Sequence, residues 1–205
     1  MSIPCLSLRV ILLLLTAATL TAPLRAEEPK RDRTAAVAEL KKYNSGIDAE
    51  TVTSGTKSLK FGCHSNLPDS AFALMAVFPE LEELDFISDK VTDAALIHLK
   101  KLPKLRVLRI NSGTITDEGL DALKDLPKLE ELLLMRTKLT DKGLAKVQAL
   151  RGLKSLTLIR LKVTPELIEQ LKRFKQLDEM QIGQTDFTDQ QKRELTEILP
   201  NLSIK

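Results

Sequence analysis

The chain has 205 residues, and its 31 lysines and arginines outnumber its 28 aspartates and glutamates by only three. So small a net charge argues against a nucleic acid or an anionic membrane as the main partner. With two cysteines, two histidines and no glycine-rich phosphate loop, the sequence offers no constellation for acid–base or nucleophilic catalysis. We therefore expect neither an enzyme nor a cofactor.

The segment 1–26 predicts a secretory signal peptide, whose apolar stretch is too short for a stable membrane span. Arg9 supplies a positive charge, residues 10–22 are apolar apart from threonines, and Ala26 offers a cleavage point. Arg9 and Arg25 leave with this segment and no acid does, so 29 of the 31 basic residues remain against 28 acidic ones. Cys63 is then the single cysteine, which favours a soluble bacterial protein exported to the periplasm or the extracellular space.

Residues 27–57 predict an N-terminal helix and cap. In the segment 34–42, Val37 and Leu40 fall on one side of a helix, which an Asn-Ser-Gly sequence at residues 44–46 would end.

Residues 58–205 predict one domain of about six repeats. It opens with a degenerate repeat in which Leu59 and Phe61 alternate as in a β-strand and the turn needs one extra residue. It closes with a more polar C-terminal cap and a short strand at residues 202–204.

An apolar block returns five times at a constant interval along the chain. Its first column holds Phe78, Leu102, Leu126, Leu150 and Phe174. Further apolar columns follow three, six and eight positions later. Spacing this strict predicts a stack of similar structural units.

Each block has the pattern strand, turn, helix, turn. In the second block Leu108 and Ile110 stand two apart, as on one face of a strand, and Asn-Ser-Gly at 111–113 predicts a turn. Thr116 predicts a helix N-cap, and Pro127 ends that helix. One such unit cannot bury enough apolar surface alone, so we expect neighbouring units to share a parallel sheet and one core.

These blocks, with the helix starts Thr116–Leu120 and Thr140–Leu144 (Thr-Asp-x-Gly-Leu), resemble leucine-rich repeat proteins. The closest subtype is that of the ribonuclease-inhibitor and F-box-associated repeats and of short exported bacterial proteins. The resemblance implies an α/β fold, a right-handed curved solenoid with a parallel concave sheet and outer helices. It also implies protein recognition on the concave face.

The chain departs from the family pattern in the turn column that usually carries Asn or Cys. Here this column reads Asp89, Gly113, Thr137, Leu161 and Thr185. We therefore expect no asparagine ladder and a looser turn after each strand.

Residues that flank the buried strand positions should point to the concave side. The apolar ones, Val107, Leu133, Met135 and Ile159, fall on neighbouring strands together with Arg109 and predict a binding patch for a protein or peptide. The alternative is that they are ordinary, singly exposed apolar residues.

A basic edge is predicted where the strands end. Arg136 and Arg160 follow two strands directly, and Lys90, Lys138 and Lys162 lie near the following turns. This edge could orient an acidic partner, and the alternative is a solvated polar rim.

The remaining chemical groups predict no metal or catalytic site. Cys63 and His64 are adjacent but lack further ligands at metal-binding spacing, and His98 belongs to another repeat. The acidic pairs at 82–83 and 130–131 belong to solvated strand surfaces.

The sequence thus supports a non-catalytic exported module that binds a protein or peptide on its concave face. The alternative is a structural envelope protein that acts by self-association, and a hydrolase is the least supported hypothesis.

Overall fold

A computed structural model describes residues 28–43, 58–61, 67–175 and 177–204. The predicted signal peptide and the Cys63–His64 pair lie outside the described residues.

Seven parallel strands form one sheet in chain order, each hydrogen-bonded to the next. They are β1 Ser58–Phe61, β2 Glu83–Ile87, β3 Val107–Asn111, β4 Glu131–Met135, β5 Ser155–Ile159, β6 Glu179–Gly183 and β7 Leu202–Ile204. From β2 to β6 the register advances by the interval of the apolar blocks, so that Glu83 pairs with Val107 and Val107 with Glu131. Ser58 pairs with Glu83, a step longer by one, which confirms the extra residue predicted in the first turn.

Helical segments lie between the strands and pack against one another along the outer side of the stack. The α-helices are α1 Glu28–Leu40, α2 Asp69–Met75, α3 Asp93–Leu96, α4 Asp141–Gln148, α5 Pro165–Leu171 and α6 Asp189–Ile198. Two 3₁₀-helices, Ile97–Lys101 and Gly119–Asp125, take the outer positions in the second and third repeats. The predicted α/β leucine-rich-repeat solenoid is confirmed.

Two helices differ from the sequence-based prediction. α1 begins at Glu28 rather than Thr34, because Pro29 is compatible with the first turn of a helix. The outer segment predicted to be an α-helix from Thr116 is instead the 3₁₀-helix Gly119–Asp125. Its leucines Leu120 and Leu123 lie three positions apart, a spacing that a 3₁₀-helix accommodates as well as an α-helix does.

The core is the stack of apolar columns that the sequence predicts. At most 2% of each residue is exposed in the two inward strand columns, which are Leu84, Leu108, Leu132, Leu156, Met180 and Phe86, Ile110, Leu134, Leu158, Ile182. Burial of one such side chain contributes roughly 2 kcal/mol. Val37 and Leu40 of α1 are buried as well, so this helix closes the N-terminal end of the core.

The outer segments are joined by an Asp–Thr ladder. In each step an aspartate of one repeat accepts hydrogen bonds from both the backbone N–H and the hydroxyl of a threonine in the next repeat. The three steps are Asp69 to Thr92, Asp93 to Thr116 and Asp117 to Thr140, with N···O distances of 2.7, 2.9 and 2.8 Å. The Thr-Asp pair of the repeat motif therefore connects two units rather than only starting a helix.

Glycine provides space for two of these aspartates. A Cβ on Gly119 would lie 2.4 Å from Asp93 Oδ1, and one on Gly143 would lie 2.0 Å from Asp117 Oδ1. In the first step of the ladder Ala95 stands in the glycine column, and the hydrogen bonds from Thr92 to Asp69 are still formed. A methyl group can therefore be accommodated at that end of the stack. The glycine of the Thr-Asp-x-Gly-Leu motif is thus explained by the carboxylate of the preceding repeat.

The ladder ends at Thr140. One repeat later Leu167 stands in the glycine column, and Thr164 accepts a hydrogen bond from Leu167 N at 3.1 Å. No corresponding bond joins Thr164 to Asp141, although the structure describes both residues. The outer side of the last repeats is therefore held without this connection.

Candidate functional site

The sheet face that points away from the core carries the predicted patch. Met135 and Ile159 are register partners on β4 and β5, and Leu133 lies two positions before Met135 on the same strand. All three side chains are half-buried. We call Leu133, Met135 and Ile159 the apolar patch.

Val107 does not belong to the exposed part of this patch. It lies diagonal to Leu133, as the sequence predicts, but only 6% of it is exposed. Its register partners are Glu83 and Glu131, whose longer side chains flank it. The patch is therefore smaller than the sequence indicates and is centred on β4 and β5.

The same sheet face is polar beside the patch. Arg109 Nη2 lies 3.6 Å from a carboxylate oxygen of Glu131, and Gln181 Nε2 donates to Glu179 at 2.6 Å. With Thr157 these residues line a shallow groove of about 200 Å³. Arg109, ion-paired with Glu131, therefore forms one side of this groove.

Three consecutive repeats place a left-handed residue directly after the strand. Arg136, Arg160 and Gln184 have φ values of 60°, 58° and 52°. Continued strand alternation would point each of these side chains at the core. The left-handed turn redirects them, so Arg136 stays half-buried while Arg160 and Gln184 are exposed at the rim. Nothing in the residue types signals this turn, because arginine has no preference for positive φ.

The two arginines of the basic edge have different partners. Arg136 donates from Nε to Asn111 Oδ1 at 2.6 Å, and its terminal nitrogens lie 3.4 Å from the Asp89 carboxylate. Arg160 donates from Nε to Gln184 Oε1 at 2.6 Å. Within the described part of the chain no carboxylate lies within ion-pair distance of Arg160.

Serine hydroxyls occupy the strand-exit column in the earlier repeats. Ser88 is buried and donates to Leu67 O at 3.0 Å, while Ser112 is buried and hydrogen-bonds Thr114 Oγ1 at 2.7 Å. These hydroxyls lie one position before the column that usually carries asparagine, and the looser turn stays a prediction.

Both carboxylates of the acidic pair at 130–131 form ion pairs with basic residues of neighbouring repeats. Glu130 forms ion pairs with Arg106 at 2.7 Å and Lys154 at 3.2 Å, across three successive repeats. These hydrogen bonds, that of Arg106 first, hold the pKa of the Glu130 carboxyl below its ordinary value. Through these ion pairs Glu130 therefore connects the residues that precede three neighbouring strands.

The described residues contain no cluster suited to a metal ion. No group of three histidine, cysteine, aspartate or glutamate side chains there is arranged to hold one. None of the helices in the same ranges is both long and apolar enough to cross a membrane.

The family model described as Leucine Rich repeat matches residues 101–124, which is one complete repeat unit. No curated protein matches the chain. The matched unit recurs along the stack with the same register and the same buried columns. One repeat unit of the chain is therefore similar to the leucine-rich repeat, and the units together form the α/β solenoid described above.

Proposed function

We propose that this protein is a non-catalytic exported module that binds a protein or peptide on its concave face. The observation that carries the proposal is the apolar patch, in which Met135 and Ile159 lie side by side on a sheet face that points away from the core. Partly exposed apolar residues grouped within a polar surround are typical of interaction sites.

The surroundings of the patch suit a polypeptide ligand. Arg109, Glu131 and Gln181 line the groove on one side with hydrogen-bonding groups. The basic edge, formed by Arg136 and Arg160, borders the patch where β4 and β5 end. An apolar centre with a polar rim provides affinity through burial and orientation through hydrogen bonds.

A glutamate placed in the patch tests the proposal. Native binding partners are captured from an envelope extract with the wild-type protein, with Met135→Glu and with Ile97→Glu. Ile97 is the matched control, because it lies on an outer 3₁₀-helix and is 52% exposed. We expect Met135→Glu to lower the recovery of partners at least tenfold and Ile97→Glu to leave it unchanged. Equal recovery with Met135→Glu would contradict the proposal.

Self-association is a second candidate, supported by the C-terminal end of the stack. Among the described strands β7 pairs only with β6, so its outer edge is open. A cavity of about 280 Å³ beside it is lined by the apolar residues Phe174, Leu177, Met180 and Leu202. Light scattering on the purified protein separates the candidates, because a strict monomer excludes this one.

A further inference from the structure

We propose that the partner presents an acidic residue next to an apolar residue, with the carboxylate bound by Arg160 and the apolar side chain seated against Ile159. This inference rests on the proposed function and specifies the chemistry of its ligand. It is supported by the contacts of Arg160, by the neighbours of Ile159 and by the charges around them.

The Arg160 guanidinium is positioned but not neutralised. Its Nε donates to Gln184 Oε1 at 2.6 Å, and the left-handed backbone of both residues directs them to the exposed rim. Gln184 is uncharged, so the bond fixes the guanidinium without cancelling its charge. The two terminal nitrogens make no hydrogen bond within the described chain and match the geometry of a bidentate carboxylate.

Arg136 supplies the internal comparison. It occupies the same column one repeat earlier, yet its terminal nitrogens face the Asp89 carboxylate at 3.4 Å. An acid of the chain itself therefore already occupies the position that we assign to the ligand at Arg160. Arg136 is therefore paired with a carboxylate of the protein itself, whereas Arg160 is available to a partner.

Ile159 has an uncovered flank on the same side. Met135 is its register partner on β4, but the partner on β6 is Gly183, which has no side chain. Arg160 N donates to Gly183 O at 3.1 Å, which keeps the two strand ends together. A ligand side chain laid over Gly183 would contact Ile159 close to the Arg160 guanidinium.

The local charges favour an acidic ligand. Lys162 and Lys138 are exposed near the same rim and have no ion pair within the described residues. Asp186 is exposed two positions beyond Gln184 but forms no ion pair with Arg160. Glu179 lies at the opposite end of β6, about 13 Å from Gly183 at the rise of a β-strand. The net charge around the rim is therefore positive.

A random peptide library supplies the ligands for the test, so the natural partner need not be identified. Displayed random dodecapeptides are selected on the wild-type protein and counter-selected on Met135→Glu. Enriched peptides are synthesised with a fluorescent label, and their affinity is measured by anisotropy. We expect an aspartate or glutamate adjacent to an aliphatic or aromatic residue in the enriched sequences.

Variants at the rim then test the carboxylate contact. Arg160→Gln and Gln184→Glu should each weaken binding at least tenfold, the second because the new carboxylate would pair with Arg160 as Asp89 pairs with Arg136. Arg151→Gln is the matched control and should change affinity less than threefold, because Arg151 is an exposed arginine in the turn before β5 and lies outside the patch and its rim. Added salt should weaken wild-type binding more than that of Arg160→Gln.

The outcomes distinguish the two proposals. This inference would be overturned if the enriched peptides lacked an acidic residue. It would also be overturned if they bound Arg160→Gln as well as wild type while losing affinity for Met135→Glu. Either result would leave the proposal of a concave binding face intact. If no peptide prefers the wild type over Met135→Glu, both proposals fall.

Discussion

Replacing Asp117 with alanine is predicted to remove one connection between two repeats and to leave the apolar core unchanged. The carboxylate accepts hydrogen bonds from the backbone N–H and the hydroxyl of Thr140, and its backbone N···O distance is 2.8 Å. Hydrogen bonds to a charged group contribute on the order of 1.5–3 kcal/mol each when protected from water. Because both residues are solvent-accessible, we take about 1 kcal/mol per bond and expect a loss of about 2 kcal/mol.

Asp141→Ala is the matched control. Asp141 occupies the same column one repeat later but makes no ladder bond to Thr164, although both residues are described. Its substitution should cost only the interaction of a carboxylate with a helix N-terminus, about 0.5 kcal/mol. The two variants therefore differ in one connection between repeats.

Thermal unfolding followed by circular dichroism measures the difference. For a domain of this size about 2 kcal/mol corresponds to a fall in Tm of roughly 4–8 °C. The double variant Asp117→Ala/Thr140→Val should lose about 1 kcal/mol more than Asp117→Ala alone, because the Thr140 hydroxyl also accepts the capping hydrogen bond from Lys142 N at 3.2 Å. Equal Tm values for Asp117→Ala and Asp141→Ala would show that the ladder does not stabilise the stack.

Three further predictions concern stability. Gly143→Ala should destabilise the protein by about 1–2 kcal/mol in urea unfolding, although alanine favours helices, because its Cβ would meet a ladder carboxylate at 2.0 Å. Glu130→Gln should flatten the loss of stability between about pH 5 and pH 3, followed by urea unfolding across that range. The folded pKa of Glu130 is lowered, so its contribution is present above the unfolded pKa and is lost as the pH falls through the folded pKa. Arg33→Ala should loosen α1 by about 2 kcal/mol, because it removes bonds to Val77 O at 3.0 Å and Glu80 at 2.9 Å and leaves that carboxylate half-buried. Fluorescence of Tyr43, the single tyrosine in a chain without tryptophan, reports its release.

The sequence was sufficient to predict the sheet and the core. The constant interval between blocks sets the register, and the alternation within each block decides which side chains face inward. The same two rules place Met135 beside Ile159. They do not choose between α-helix and 3₁₀-helix, because the apolar residues of α4 and of the 3₁₀-helix Gly119–Asp125 recur at the same spacing.

The parts that the sequence did not predict depend on neighbours in space. Val107 is buried because the side chains of its strand partners flank it, whereas the alternation of residues within its own strand predicts that it is exposed. The left-handed turns at Arg136 and Arg160 have no signature in residue type. The Asp–Thr ladder left a sequence signal in the recurring Thr-Asp pair, but the pair fits a local helix start equally well, and only the structure shows that its bonds cross between repeats.

Because the Asp–Thr ladder ends at Thr140, we expect the repeats before and after that residue to differ in stiffness. The repeats before it are clamped along both the sheet and the outer side, so they should resist bending as a stiff block. Beyond Thr140 the outer side is held by apolar packing and by single side-chain contacts between repeats, from Gln148 Nε2 to Arg173 O at 3.3 Å and from Lys172 Nζ to Glu194 at 2.5 Å. Ile159, Arg160 and Gly183 belong to the part without paired Asp–Thr bonds, and we expect that part to adjust more readily to an incoming ligand than the repeats before it.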